Sequence, residues 1–168
     1  MSDPANAPAS DDLAPVLGLV PSGLFIVTAG DGEGRTTGML ASWVMQAAFE
    51  PPALTVAVAS KRYLHQWLQS SPQLVVHILG ESQKEMLKHF GRGFEPDADA
   101  FEGLSVTRAA CGLPVLEDCL GFLEGRVTDS VSAGDHVIYV VELTGAGKGR
   151  RFDEERPYIH IRKNGLSY

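Results

Sequence analysis

The sequence predicts a mainly β protein: an antiparallel sheet closed on itself into a barrel, with a few short helices inserted. Three observations carry this reading. Seven or eight short β-type runs follow one another from Gly23 onward, and hairpin-like turns fall at Asp31-Gly32-Glu33-Gly34 and Ser132-Ala133-Gly134-Asp135. The regular alternation of strands with longer helices that a doubly wound sheet needs is missing.

The elements follow in order. Residues 1–12, MSDPANAPASDD, show no periodicity and read as a flexible tail. Leu13 to Val20 reads as a short helix. The strand-like runs are GLFIVTAG, RTTGMLASWVMQAAF, PALTVAVAS, QLVVHILG, GFLEGRVTDSV, DHVIYVVEL and PYIHI. In PALTVAVAS, Leu54, Val56 and Val58 fall on one face, Thr55, Ala57 and Ala59 on the other. One helix is expected through RYLHQWLQSS, with Leu64, Trp67 and Leu68 inward. Another is expected in SQKEMLKHF, where Ser82 and Glu85 have the spacing of a capping box and Met86, Leu87 and Phe90 form the apolar stripe.

At 168 residues the chain is expected to form one domain over residues 13–168, large enough to bury a core without disulfides or metals. Apolar residues make up 44% and charged residues 21%, the balance of an ordinary globular protein. The apolar runs are strand-length and the N-terminus lacks the pattern of a signal peptide, so no membrane association and a cytoplasmic location are expected. A formal net charge of −7 argues against nucleic acid as a partner, and any anion must be gripped locally. Cys111 and Cys119 fit neither a CxxC nor a zinc spacing and read as small apolar residues rather than a redox pair. The five histidines form no metal-ligand motif, so no metal site is expected.

The stretch from Gly38 to Arg62 asks for a function. Gly38, Ala41 and Ser42 stand where a strand ordinarily carries bulk, and Thr36, Thr37 and Ser42 add hydroxyls, so a planar polar ligand has a wall to lie against. Small residues also serve a close strand crossing, and taken alone that explanation is the stronger one. The ending tips the balance. Ser60, Lys61 and Arg62, delivered by a strand into a helix, bring a hydroxyl and two cations to one point, which suits a phosphate. Cations there oppose the helix macrodipole unless an anion arrives. Neither a P-loop nor a strand-borne GxGxxG is present, so any nicotinamide is held without a Rossmann unit.

The segment from Gly23 to Arg62, the later GDHVIYVVEL and the closing PYIHIRKNG resemble the flavin reductase-like family with an FMN-binding split barrel, and more closely the reductase modules of diflavin flavoproteins. The resemblance runs from Gly18 to Tyr168. It implies a six-stranded Greek-key split barrel, a homodimer with a flavin near each interface, and hydride transfer from NADH or NADPH to FMN, with FAD as an alternative cofactor. It places Thr37, Gly38, Met39, Ala41, Ser42 and Trp43 along the isoalloxazine and ribityl chain, and Ser60, Lys61 and Arg62 on the phosphate. His136, in the Gly-Asp-His turn, faces the flavin or the nicotinamide and is the catalytic candidate, with a purely structural turn histidine as the competing reading. Two positions depart from the family pattern: Trp43-Val44, and His77 where relatives more often carry Asn.

Two other functions compete with the reductase. One is a flavin-bound electron carrier reduced by a redox protein partner; the other is a non-catalytic split-barrel module that holds haem or another planar ligand. Trp67 is read as core, Trp43 as a cover for the flavin or the dimer contact, and the charged loop KGRR-FDEER as solvated.

Overall fold

The computed structural model describes residues 11–167. The expected tail over residues 1–12 therefore lies, for residues 1–10, outside the described residues. Nine strands and three short helices follow among the described residues: α1 (Leu13–Gly18), β1 (Phe25–Gly30), β2 (Thr36–Ala41), β3 (Val44–Phe49), β4 (Pro52–Ala59), α2 (Leu64–Ser70), β5 (Gln73–Ile78), α3 (Lys84–Phe90), β6 (Val106–Arg108), β7 (Pro114–Leu116), β8 (Gly121–Ala133) and β9 (His136–Lys148).

One antiparallel sheet has the order β2-β1-β5-β8-β9-β4-β3, so two strands adjacent in sequence, β2 and β3, stand at its opposite ends. This is the expected mainly β split barrel, with seven strands in the sheet rather than six. The extra strand arises because the long run from Thr36 to Phe49 is not continuous: it breaks at Ser42-Trp43 into β2, which pairs with β1, and β3, which pairs with β4. The small hairpin β6–β7 lies outside this sheet.

The strand pattern fixes which side is inside. Leu54, Val56 and Val58 are buried together with Val27, Ala29, Met39, Ala41, Val44, Leu74, Val76, Tyr139 and Val141, and this cluster fills the barrel. Leu24, just before β1, and Ile26 within it face outward and are covered by Met86 and Phe90 of α3 and by Phe101. Leu64, Trp67 and Leu68 of α2 are buried as their spacing predicts. Cys119 is buried and Cys111 partly so; both are free thiols.

Three local readings are corrected. PYIHI forms no strand; the closing segment makes only single bridges, Pro157 to Gly80 and His160 to Ser22. The capping box does not form, because α3 starts at Lys84 with Gln83 at its N-cap and no side-chain cap bond. Ser82 is drawn elsewhere: its backbone N–H and hydroxyl donate to Glu155 at 2.7 and 3.0 Å, and its oxygen accepts from Arg151 at 2.8 Å. The charged loop after β9 is accordingly not merely solvated. Arg151 grips Asp118 with two hydrogen bonds of 2.7 and 3.0 Å and Glu155 with a third, so the loop is a clasp that ties the closing segment to the start of α3.

Candidate functional site

The ends of three loops meet where β4 stops. Beyond Ala59 the chain turns through Ser60 and Lys61, and the Ser60 N–H donates to the Asp135 carbonyl at 2.8 Å, tying this turn to the tight β8–β9 hairpin. That hairpin closes on Gly134, whose φ of +63° is the left-handed conformation a two-residue turn requires. His136 pairs with Ala59, and its Nδ1 donates to Asp135 Oδ1 at 2.8 Å. This bond is the main cause that holds the Asp135 carboxyl below the usual carboxylate range, and the nearby Lys61 ammonium adds to it. With Nδ1 engaged, Nε2 is the ring atom left to meet a substrate.

Trp43 enters from the β2–β3 break. Its carbonyl accepts from Ala57 N–H at 3.0 Å, and its indole lies 4.7 Å from the His136 ring, centroid to centroid. Trp43, Ser60, Lys61 and His136 are thus brought together at one mouth of the barrel. The outward face of β4 beside them is thin: Ala57 and Ala59 are only half-buried.

Arg62 and the β2 residues extend the site along the barrel. Arg62 lies over Gly93, where a Cβ would collide with its Nη1, and Gly93 has φ +76°. Tyr63, which carries no sequence motif of its own, fixes the turn: its hydroxyl donates to the Phe94 carbonyl at 3.0 Å and accepts from Thr37 Oγ1 at 2.8 Å. The only signal for it in the sequence is its position next to Ser60–Arg62. His65 locks the same corner. Its Nε2 donates to the Ala59 carbonyl at 2.8 Å, so Nδ1 accepts from the Tyr139 hydroxyl at 2.5 Å.

Thr36 to Ser42 do not form one continuous wall. A strand alternates, and Met39 and Ala41 point into the barrel core, while Gly38 faces the other way. Gly38 is small because Phe90 packs on it: a Cβ there would lie 2.5 Å from that ring. Thr36 lines a separate cavity of about 390 Å³ with Arg35, Asp97, Phe101 and Arg108. What β2 can offer a ligand is its backbone, since the edge away from β1 has no strand partner among the described residues. Ser42 is buried beside it.

The mouth thus gathers the Ser60 hydroxyl, the Lys61 ammonium and the His136 imidazole, with the Arg62 guanidinium further along the barrel and β2 at the end of the sheet. Similarity to known proteins gives the class to which this split barrel belongs, the flavin-handling oxidoreductases. Residues 17–165 match the flavin reductase like domain, and the chain belongs to that family. It is 39% identical over 158 residues to Diflavin flavoprotein A 1 of Synechocystis sp., covering 94% of this chain and 27% of that protein, so the chain spans about a quarter of the length of this relative. Among solved structures, the Streptomyces globisporus C-1027 NADH:FAD oxidoreductase SgcE6 superposes with a TM-score of 0.80 at 24% identity, over 95% of both chains. The flavin reductase PheA2 superposes with a TM-score of 0.73 at 25% identity, over 88% of this chain and 90% of that one.

Proposed function

We propose that residues 13–168 act as one NAD(P)H-dependent flavin reductase domain that holds FMN, with FAD as the alternative, in the mouth around Trp43 and His136. The observation that carries this reading is the convergence of Ser60 and Lys61 with His136 and Trp43 where β4 ends. The donor set fits the cofactor. Ser60, Lys61 and Arg62 would hold a phosphate, and backbone groups of Thr37, Gly38, Met39 and Ala41, with Ser42, would meet the edge of the ring. A bound flavin supplies the hydride acceptor. The chain supplies position: Trp43 shields one side of the mouth, and His136 presents Nε2 toward the incoming nicotinamide. The name of the structural neighbour SgcE6, an NADH:FAD oxidoreductase, supports a nicotinamide donor for this chain too.

The test is an anaerobic absorbance spectrum of the FMN-reconstituted protein before and after NADH, then NADPH. Bleaching of the flavin band within seconds is the expected result, and His136→Ala, by misplacing the nicotinamide, should slow it by up to about 100-fold. A flavin band that persists with both donors would replace the reductase by an electron carrier served by a redox protein partner. Absence of flavin binding would leave haem or another planar ligand. The free thiols fit a reducing, cytoplasmic compartment.

We also propose a homodimer. The outer face of β3, β4, β9 and β8 carries Trp43, Ala57, Ile138 and Val131 in one cross-strand row, with Met45 beside it. Met45 and Val131 are 64% and 59% exposed, an apolar surface of the kind that a second copy covers. Light scattering is expected to give twice the chain mass. Met45→Glu with Val131→Glu should shift the protein to monomer, and a wild-type monomer would refute the assembly.

A further inference from the structure

The closing segment brings to the mouth a charged side chain to which neither the resemblance nor the strand periodicity gives a role. Between Pro157 and Gly165 the chain runs back over α1 and is fixed there by its backbone. Ser22 and His160 exchange hydrogen bonds of 3.0 and 2.7 Å, Arg162 N–H donates to the Gly18 carbonyl at 3.0 Å, and Gly165 N–H donates to the Ala14 carbonyl at 2.7 Å. The approach is close enough to exclude side chains: a Cβ on Gly18 would collide with the Arg162 carbonyl oxygen, and one on Gly165 with Leu17 Cβ. The segment is therefore held at a defined height and register. Arg162 projects from it over the Trp43 indole, its guanidinium carbon 5.1 Å from the ring centroid. The same indole contacts His136.

We propose that Arg162 is a substrate-binding residue that grips the pyrophosphate of the nicotinamide dinucleotide while the nicotinamide ring sits against His136. The inference rests on the reductase reading above and adds to it the part of the substrate that the β4 turn does not serve. Three arguments support it. Ser60, Lys61 and Arg62 lie on the β4 side, where the flavin phosphate would occupy them, whereas Arg162 arrives from the closing segment by way of Trp43. A dinucleotide has the matching form: a ring to be stacked, one sugar, then two phosphates carrying negative charge. In a chain of net charge −7, a guanidinium preorganised at the mouth also raises the local concentration of an anionic substrate. Arginine suits the task because its planar fork meets phosphate oxygens two at a time and stacks on an aromatic face.

The experiment compares two hydride donors on the FMN-loaded protein: NADH, and 1-benzyl-1,4-dihydronicotinamide, which has the ring but no phosphate. Arg162→Gln is expected to raise KM for NADH about 10- to 100-fold with kcat within about twofold, and to leave both constants for the phosphate-free donor and the FMN dissociation constant near wild type. Arg162→Lys should recover part of the NADH affinity, and raising the salt concentration should weaken NADH use in the wild type more than in Arg162→Gln. Equal losses with both donors would show that Arg162 only holds Trp43 in place, and an unchanged KM for NADH would show no contact with the phosphates; either overturns the inference alone. Wild-type protein that binds FMN yet oxidises neither donor overturns the reductase reading and this inference together.

Discussion

Replacing Lys61 and Arg62 together by alanine is expected to weaken FMN binding by about two orders of magnitude while the fold survives. The size follows from the chemistry: a hydrogen bond to a charged group contributes roughly 1.5–3 kcal/mol, and removing two such bonds from one phosphate costs about 3 kcal/mol or more, where about 1.4 kcal/mol is tenfold in affinity. The fold should tolerate the change. Lys61 is exposed and Arg62 half-exposed, and neither belongs to the barrel core. The turn itself is kept by backbone and tyrosine hydrogen bonds, Ser60 N–H to Asp135 and Tyr63 to Thr37 and Phe94. Fluorescence titration with FMN and a parallel titration with riboflavin, which lacks the phosphate, separate the phosphate's contribution from that of the ring. The double variant should lose its preference for FMN over riboflavin. An FMN affinity equal to wild type would place the phosphate elsewhere and remove the main support for the site.

That prediction can be made from the sequence because charge placement is local. Ser60-Lys61-Arg62 stands at the end of a cleanly alternating strand, and alternation is a short-range property that needs no partner to be read. The same holds for Leu64, Trp67 and Leu68, whose helical spacing alone says which side is buried. The small residues of β2 are harder, since a missing side chain looks the same whether a ligand or a neighbour fills the space. Gly38 belongs to Phe90, far along the chain, and no local pattern reports such a contact. Ser82 and Glu85 fail as a capping box for the same reason: Glu155 and Arg151 arrive from a distant loop and take the Ser82 hydroxyl. The roles of Tyr63 and Arg162 are not legible in the sequence because they depend on where Phe94, Gly18 and Trp43 lie in space.

The position of His77 leads to the second large effect, an acid-sensitive fold. His77 is fully buried between β1 and β8, opposite Ile26, and its Nδ1 donates to the Ile26 carbonyl at 2.9 Å. Its Nε2 is buried without a hydrogen-bond partner among the described residues. Burial, which disfavours the imidazolium, is the main cause that lowers its pKa from 6.5 to about 4; the bond to Ile26 acts the other way. The sign follows directly. Between pH 6.5 and about 4 the unfolded chain carries a proton on this ring and the folded one does not, so acid favours unfolding in that window. Across the full window the loss reaches about 3 kcal/mol, since each pH unit separating the folded and unfolded pKa values corresponds to about 1.4 kcal/mol. Asn, which the resemblance places at this position more often, keeps an amide donor near Nδ1 and has nothing to titrate. Urea unfolding of wild type and His77→Asn at pH 7.5, 6.0 and 4.5 is expected to show the wild type losing about 2–3 kcal/mol relative to the variant as pH falls. Because the comparison is a difference, carboxylates that titrate in both proteins cancel. Parallel pH profiles would mean that a buried partner, such as water, satisfies Nε2 and admits the proton.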